Sequence, residues 1–360
     1  MTIVRGGFKK LSGVICTTCC IVATSVAALV CSMMVYMGLN IVKPGAIQSG
    51  VLKFSGAYSD SRSYSDVCWL TSHNSFAHPT PSKYWYDEFV SLGIIPSQFL
   101  TIEQQLAFGV RSFMIDLHYD NNGDVIIAHE GIFYKQSLQD FLNEIKAWLD
   151  KNKKDIITIH MESYVTDYDK IFKIISSKDV GLDVYLFDLC KYNNGKAEKG
   201  NRDCNWAGKR ELTPLKWPTL GEMRDPKGVG RLVIFSDKSE DAGYGIMHVS
   251  RTMETQFNLI RYNKCELRKT GRSSMAPLLT MNHFYPLTIK AGSYGVNLDD
   301  KPPFFTMPKK LNDYELMHDR VCACYKDNKK WPNFIAVDFV GVGGAIKIVT
   351  DINENNVRCS

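Results

Sequence analysis

The run Trp69-Leu70-Thr71-Ser72-His73-Asn74-Ser75 decides how this chain is read, together with Gly109-Val110-Arg111-Ser112-Phe113-Met114-Ile115-Asp116 and Val125-Ile126-Ile127-Ala128-His129. Each is a short apolar run that ends on a histidine or a carboxylate, the pattern of barrel strands that deliver polar side chains to one rim. Side chains alternate along a strand, so Ser112, Met114 and Asp116 share one face while Phe113, Ile115 and Leu117 share the other. Thr158-Ile159-His160-Met161-Glu162 divides in the same way, and Phe334-Ile335-Ala336-Val337-Asp338 repeats the division. The apolar faces are expected to meet outer helices. Asp116, Glu162 and Asp338 then point into the barrel near its upper rim, where His73 and His129 end their own strands.

Working outward, Thr101-Ile102-Glu103-Gln104 has the form of a capping box and opens a short helix that Gly109 ends. Ser137 caps the next helix, whose Leu138, Phe141, Leu142, Ile145, Trp148 and Leu149 fall on one face. Asp155–Glu162, Arg231–Asp237 and Phe334–Val340 read as strands, and Ala345–Asn353 as a closing helix. Strands alternating with helices give an α/β fold with a parallel sheet, and the expectation is an irregular (β/α)8 barrel of the TIM type. Cys190–Gly208 and Lys264–Ser274 are polar enough to be long surface loops.

The chain has 360 residues, of which 45% are hydrophobic, enough for one barrel domain and an extension. Its formal charge of +5 owes three units to Arg5, Lys9 and Lys10, which leaves +2 on everything after residue 42 and gives nucleic-acid binding no support. Leu11 to Val42 contains no charged residue, longer than the roughly 20 residues that cross a bilayer. The expectation is an uncleaved transmembrane signal anchor. A cleaved signal peptide is the rival, although its apolar core runs to only about 7–15 residues. With Arg5, Lys9 and Lys10 ahead of the span, the N-terminus stays cytoplasmic and the rest faces the lumen or the exterior. The division expected is a short N-terminus at 1–10, the anchor at 11–42, a linker at 43–66 and the barrel at 67–356. Outside the span stand Cys68, Cys190, Cys204, Cys265, Cys322, Cys324 and Cys359. Cys190 and Cys204 flank a polar loop and are candidates for a bridge. No spacing among these cysteines supplies a zinc site.

Taken together, Ser72-His73-Asn74-Ser75, Gly109-Val110-Arg111 with Asp116, Ile127-Ala128-His129-Glu130-Gly131, Leu138 with Phe141-Leu142, Ile156-Ile157 with Glu162, Trp217-Pro218-Thr219-Leu220-Gly221-Glu222-Met223-Arg224 and Pro332-Asn333-Phe334-Ile335-Ala336-Val337-Asp338 resemble, in order, the X region of phosphatidylinositol-specific phospholipase C. The resemblance runs from about Val67 to Asn353. It implies that His73 takes the proton from the inositol 2-hydroxyl, that His129 protonates the departing diacylglycerol oxygen, and that Asp338 orients the base. It also implies calcium held by Asn74, Asp116 and Glu162, with Met114 standing where the calcium-dependent enzymes have a further acid. Metal-independent relatives carry an arginine at the place of Asp116. Lys238 is a candidate phosphate contact, weighed against a solvated lysine. The substrate expected is membrane phosphatidylinositol or a glycosylphosphatidylinositol.

Blander readings stand beside these. His160 is expected to be a packing histidine, and the structural alternative for Asp116 and Glu162 is a pairing with Arg111 or a lysine, although Arg111 belongs to the opposite face from Asp116. A barrel that binds lipid headgroups without turnover draws on Met114. A glycerophosphodiesterase or sphingomyelinase D-like enzyme is the third class.

Overall fold

The computed structural model describes residues 58–78, 96–129, 133–194, 215–238, 245–249, 252–257, 264–268, 278–284 and 307–359. The apolar span 11–42, most of the 43–66 linker and Cys204 lie outside the described residues. Among the described residues no helix is long and apolar enough to cross a membrane.

Along the chain come β1 (Trp69–Ser72), α1 (Ile102–Phe108), β2 (Ser112–Tyr119), β3 (Val125–His129), β4 (Phe133–Ser137) and α2 (Leu138–Lys151). They are followed by β5 (Ile157–Ser163), α3 (Tyr168–Ile175), α4 (Leu189–Tyr192), α5 (Leu220–Arg224), β6 (Leu232–Ser236) and β7 (Ile246–His248). The remainder supplies β8 (Thr252–Glu254), β9 (Leu278–His283), α6 (Met307–Leu311), α7 (Tyr314–Asn328), β10 (Phe334–Val337) and α8 (Ala345–Asn353).

The start and stop chemistry read from the sequence is in place. Thr101 and Gln104 form a reciprocal capping box at α1, and Gly109 ends that helix in the left-handed region at φ 113°. Ser137 accepts the Asp140 N–H at the start of α2. The sheet runs β7-β6-β5-β2-β1-β10-β9-β8, with every neighbouring pair parallel. This is the α/β, parallel-strand arrangement expected, but the described strands do not close a ring. Among the described residues no pairing joins β7 to β8, which leaves a half-barrel.

One expected barrel strand is not one. β3 runs antiparallel to both β2 and β4 and branches off the main ladder. The cause is the turn ahead of it: Asp120 Oδ1 accepts the N–H groups of Asn122 and Asp124, and Gly123 takes φ 81°. So tight a turn joins antiparallel strands, whereas a parallel neighbour needs a crossover of a dozen or more residues.

The alternation of faces holds. Phe113, Ile115, Leu117, Ile157, Ile159 and Met161 are all buried in one cluster with Phe141, Leu142, Ile145 and Leu149 of α2. A second cluster fills the barrel interior, where Trp69, Phe235 and Phe334 meet Tyr64 and Trp217. Tyr64 stacks on Trp217 at 5.0 Å between ring centroids and shares a 2.6 Å hydrogen bond with Thr158 Oγ1. Packing therefore begins ahead of Val67. His160 lies against Phe235 and Phe334 at 5.2 and 4.7 Å, in the packing role expected of it. Aromatic rings plug the interior, so polar chemistry is confined to the strand ends.

Two disulfides, Cys265–Cys324 and Cys322–Cys359, tie a loop after β8 and the C-terminal tail to α7. Cys190 is also disulfide-bonded, and its expected partner Cys204 lies outside the described residues. Cys68 is a buried free thiol.

Candidate active site

Register brings the first two candidates together. Ser72 pairs with Val337, so one residue further on His73 comes level with Asp338. The His73 N–H donates to Val337 O at 3.0 Å, and His73 Nδ1 lies 2.8 Å from Asp338 Oδ1. In a neutral imidazole whose Nδ1–H donates to this carboxylate, the lone pair lies on Nε2. Two buried amides hold the backbones beneath this pair. Gln98 Nε2 donates to His73 O at 2.7 Å and to Val337 O at 3.1 Å, while its Oε1 accepts the Val340 N–H. Asn312 Nδ2 donates to Asp338 O at 2.8 Å. The chain turns away at once after each candidate: Asn74 takes φ 42° and Phe339 φ 53°, both unusual for residues with a side chain.

On the other side of β1, Asp116 pairs in register with Glu162 across β2 and β5. The Tyr164 hydroxyl donates to Glu162 Oε1, and burial, Glu162, Asp116 and Asp237 together push that phenol above its ordinary pKa. Asp237 follows β6, accepts the Ser163 N–H at 2.8 Å, and is raised by burial, with Glu162 adding to the shift and Lys238 opposing it. The rim therefore carries carboxylates at three neighbouring strand ends with Lys238, half-buried, beside the last of them.

As a place for calcium, the donors are the oxygens a hard cation prefers: the carboxylates of Asp116 and Glu162 and the buried amide of Asn74. Among the described residues, however, no three His, Cys, Asp or Glu side chains gather as a metal-holding group, and Met114 brings no oxygen. The chemistry of the set fits calcium only if solvent or substrate completes the shell.

Arg111 is no part of this rim. Its guanidinium is buried against Asp155 at 2.6 Å and donates to Leu106 O and Val110 O, so the pairing with Asp116 or Glu162 is replaced by one at the far end of the strand. His129 closes β3, where the register against β4 shifts between Ile127 and His129. Such a bulge breaks the alternation that would otherwise give His129 the face of Val125 and Ile127.

Sequence reasoning missed Gln98, Asn312, Tyr164, Asp237 and Phe284. The last lies face to face with His73, ring centroids 3.5 Å apart and planes 5° from parallel. Only Asp237 carried a legible signal, as a carboxylate ending an apolar strand.

The family model described as PI-PLC X 1 matches residues 60–353. The chain is similar to PI-PLC X domain-containing protein 1 of Arthroderma benhamiae, at 24% identity over 82% of this chain and 87% of that one. It is also similar to a PI-PLC X domain-containing protein of Arabidopsis thaliana, at 26% identity over 82% of this chain, which spans 63% of that relative's length. Among solved structures, the phosphatidylinositol-specific phospholipase C from Listeria monocytogenes shares the fold, with a TM-score of 0.50 and 16% identity over 84% of this chain and 97% of that one.

Proposed function

Because the chain belongs to the PI-PLC X family, we propose that it is a phosphodiesterase that cleaves phosphatidylinositol or a glycosylphosphatidylinositol by intramolecular attack. The observation that carries the reading is the His73–Asp338 pair at the ends of the neighbouring strands β1 and β10. His73 Nε2 takes the proton from the inositol 2-hydroxyl. That oxygen bonds to the phosphorus, the phosphorus–oxygen bond to diacylglycerol breaks, and His129 gives its proton to the departing oxygen. Attack from a neighbouring hydroxyl needs little more than a placed base and acid, since an intramolecular nucleophile already has a high effective concentration. Asp338 fixes the tautomer and holds one edge of the ring.

Calcium belongs to the proposal: held by Asn74, Asp116 and Glu162, it would supply positive charge for the phosphoryl oxygens. Lys238 adds a cation beside that set. We place the chain in a membrane with an anchor at 11–42 and a linker behind it, the short N-terminus in the cytoplasm, and the barrel, whose packing already includes Tyr64, lumenal or extracellular. The charge-free span and its flanking Arg5, Lys9 and Lys10 support this orientation, and the disulfides among Cys265, Cys322, Cys324 and Cys359 suit an oxidising compartment.

The test is to incubate the purified protein with phosphatidylinositol vesicles, and separately with sphingomyelin or lysophosphatidylcholine. Inositol cyclic phosphate is the expected product. Release of choline or a cyclic product from the second set would move the protein to the sphingomyelinase D class. Met114, where the calcium-dependent relatives carry an acid, favours a second reading, a headgroup-binding barrel without turnover. Vesicle binding with no product would establish that one instead.

A further inference from the structure

We propose that Phe284 is a positioning residue for the base: it fixes the plane of the His73 imidazole, and so the direction in which Nε2 faces. This rests on the reading of His73 as the base. A hydrogen bond from Nδ1 to Asp338 holds one edge of the ring but leaves it free to swing about that bond. The Phe284 ring removes that freedom, lying flat against the imidazole at 3.5 Å between centroids and 5° between planes. β9 adjoins β10, and His283 pairs with Val337 in register, so Phe284 comes level with Asp338. Adjacent strand ends therefore hold His73 from two directions, one at its edge and one on its face.

Phe284 is itself held. The preceding His283 is fully buried, its Nε2–H donates to Leu311 O at 2.8 Å, and its Nδ1 accepts from Arg320 Nη1 at 3.3 Å. Both ring nitrogens of His283 are thus committed to neighbours, which pins the backbone from which Phe284 projects. Phe257 backs Phe284 at 5.9 Å, and the Arg268 guanidinium covers Phe257 at 3.8 Å. Phe284 is 2% exposed, so a substrate contact is not what keeps an aromatic ring there.

Two measurements on the full-length protein test this. The first is the NMR spectrum of the histidine ring C–H groups, with His73 assigned by its loss in His73→Gln. A stacked benzene ring shields those protons, so the His73 signals are expected upfield of an unstacked histidine and should move downfield in Phe284→Leu. The second is cleavage of phosphatidylinositol by Phe284→Leu, which keeps apolar bulk and loses the flat face. kcat should fall about ten- to a hundredfold, as for a modest misplacement of a catalytic group, with KM within about twofold. Unshifted His73 signals in the wild type would overturn the proposal, as would unchanged kcat in Phe284→Leu or a rise confined to KM. Upfield signals in a protein that cleaves no inositol phospholipid would overturn the proposed function and leave the positioning contact standing.

Discussion

His73 and Asp338 stand 265 positions apart in the chain and meet at 2.8 Å between Nδ1 and Oδ1. The meeting is a consequence of register, because β1 and β10 are parallel neighbours that end together. Removing the base by His73→Ala should lower turnover by about two to four orders of magnitude with the fold retained, since a proton-transfer partner is lost and no core volume. Asp338→Asn keeps the shape but offers an amide to Nδ1, so kcat should drop by about two orders of magnitude. Steady-state cleavage of phosphatidylinositol, with circular dichroism to confirm folding, is the measurement. A near wild-type rate in either variant would remove that residue from the mechanism.

The Arg111–Asp155 pair serves stability. Both side chains are less than a tenth exposed, and Trp148 Nε1 also donates to Asp155 Oδ2 at 2.7 Å. Asp155→Ala would strand a buried guanidinium, which costs about 3–5 kcal/mol. Denaturant unfolding should show a loss of that size, while the rate per folded molecule stays at the wild-type value. A variant of unchanged stability but low activity would return Arg111 to the site.

Much of this architecture is legible locally. Thr101, Ser137 and Gly109 announce helix ends by their own chemistry, and the alternation in Ser112–Leu117 assigns faces before any partner is known. What local pattern does not carry is direction. Val125–His129 looks like any barrel strand, and only the geometry of the Asp120–Asp124 turn makes it antiparallel. β7 and β8 have three residues each, too few for a period, and β9 is buried throughout, so alternation is absent there. Contacts such as Phe284 on His73 or Gln98 beneath it join elements distant in sequence. No composition rule marks them.

His283 gives a pH signature. Burial first, and then the charge of Arg320, hold its pKa at about 3 against an ordinary 6.5. Between those values the unfolded chain takes up a proton that the folded chain refuses, so the unfolded state binds more protons and stability rises with pH. The contribution is complete above about pH 6.5 and is lost as pH falls towards 3, with a slope approaching about 1.4 kcal/mol per pH unit. Urea unfolding of wild type and His283→Gln at several pH values should show the shallower acid slope in the variant. Parallel slopes would place the acid sensitivity elsewhere.

Reduction should loosen the C-terminal third. The Cys265–Cys324 and Cys322–Cys359 bridges close loops of 59 and 37 residues, for which chain entropy gives about 4 kcal/mol each. Thermal melting with and without reductant should separate clearly, and a protein in an oxidising compartment should be isolated with these four thiols blocked. Unchanged melting, or free thiols at all four positions in freshly isolated protein, would count against both the bridges and the compartment.

The last prediction concerns the charge at the rim. Asp116 and Glu162 are register neighbours, Asp237 stands at the next strand end, and the proposed substrate is itself an anionic phosphodiester. Without a cation these negative charges would repel it. Calcium on Asn74, Asp116 and Glu162 would reverse the local sign, and with Met114 contributing no oxygen its affinity should be weak, about 10⁻⁴–10⁻³ M as in extracellular modules. Titration calorimetry of the protein without substrate should detect binding in that range, and Met114→Glu should tighten it. In the cleavage assay a chelator should abolish product and added calcium should restore it, with Met114→Glu needing less. Full activity in excess chelator, together with no heat of calcium binding, would defeat the metal reading. The burden of phosphate charge would then fall on a cationic side chain, and with Arg111 already committed to Asp155, Lys238 is the candidate whose charge already acts at this rim.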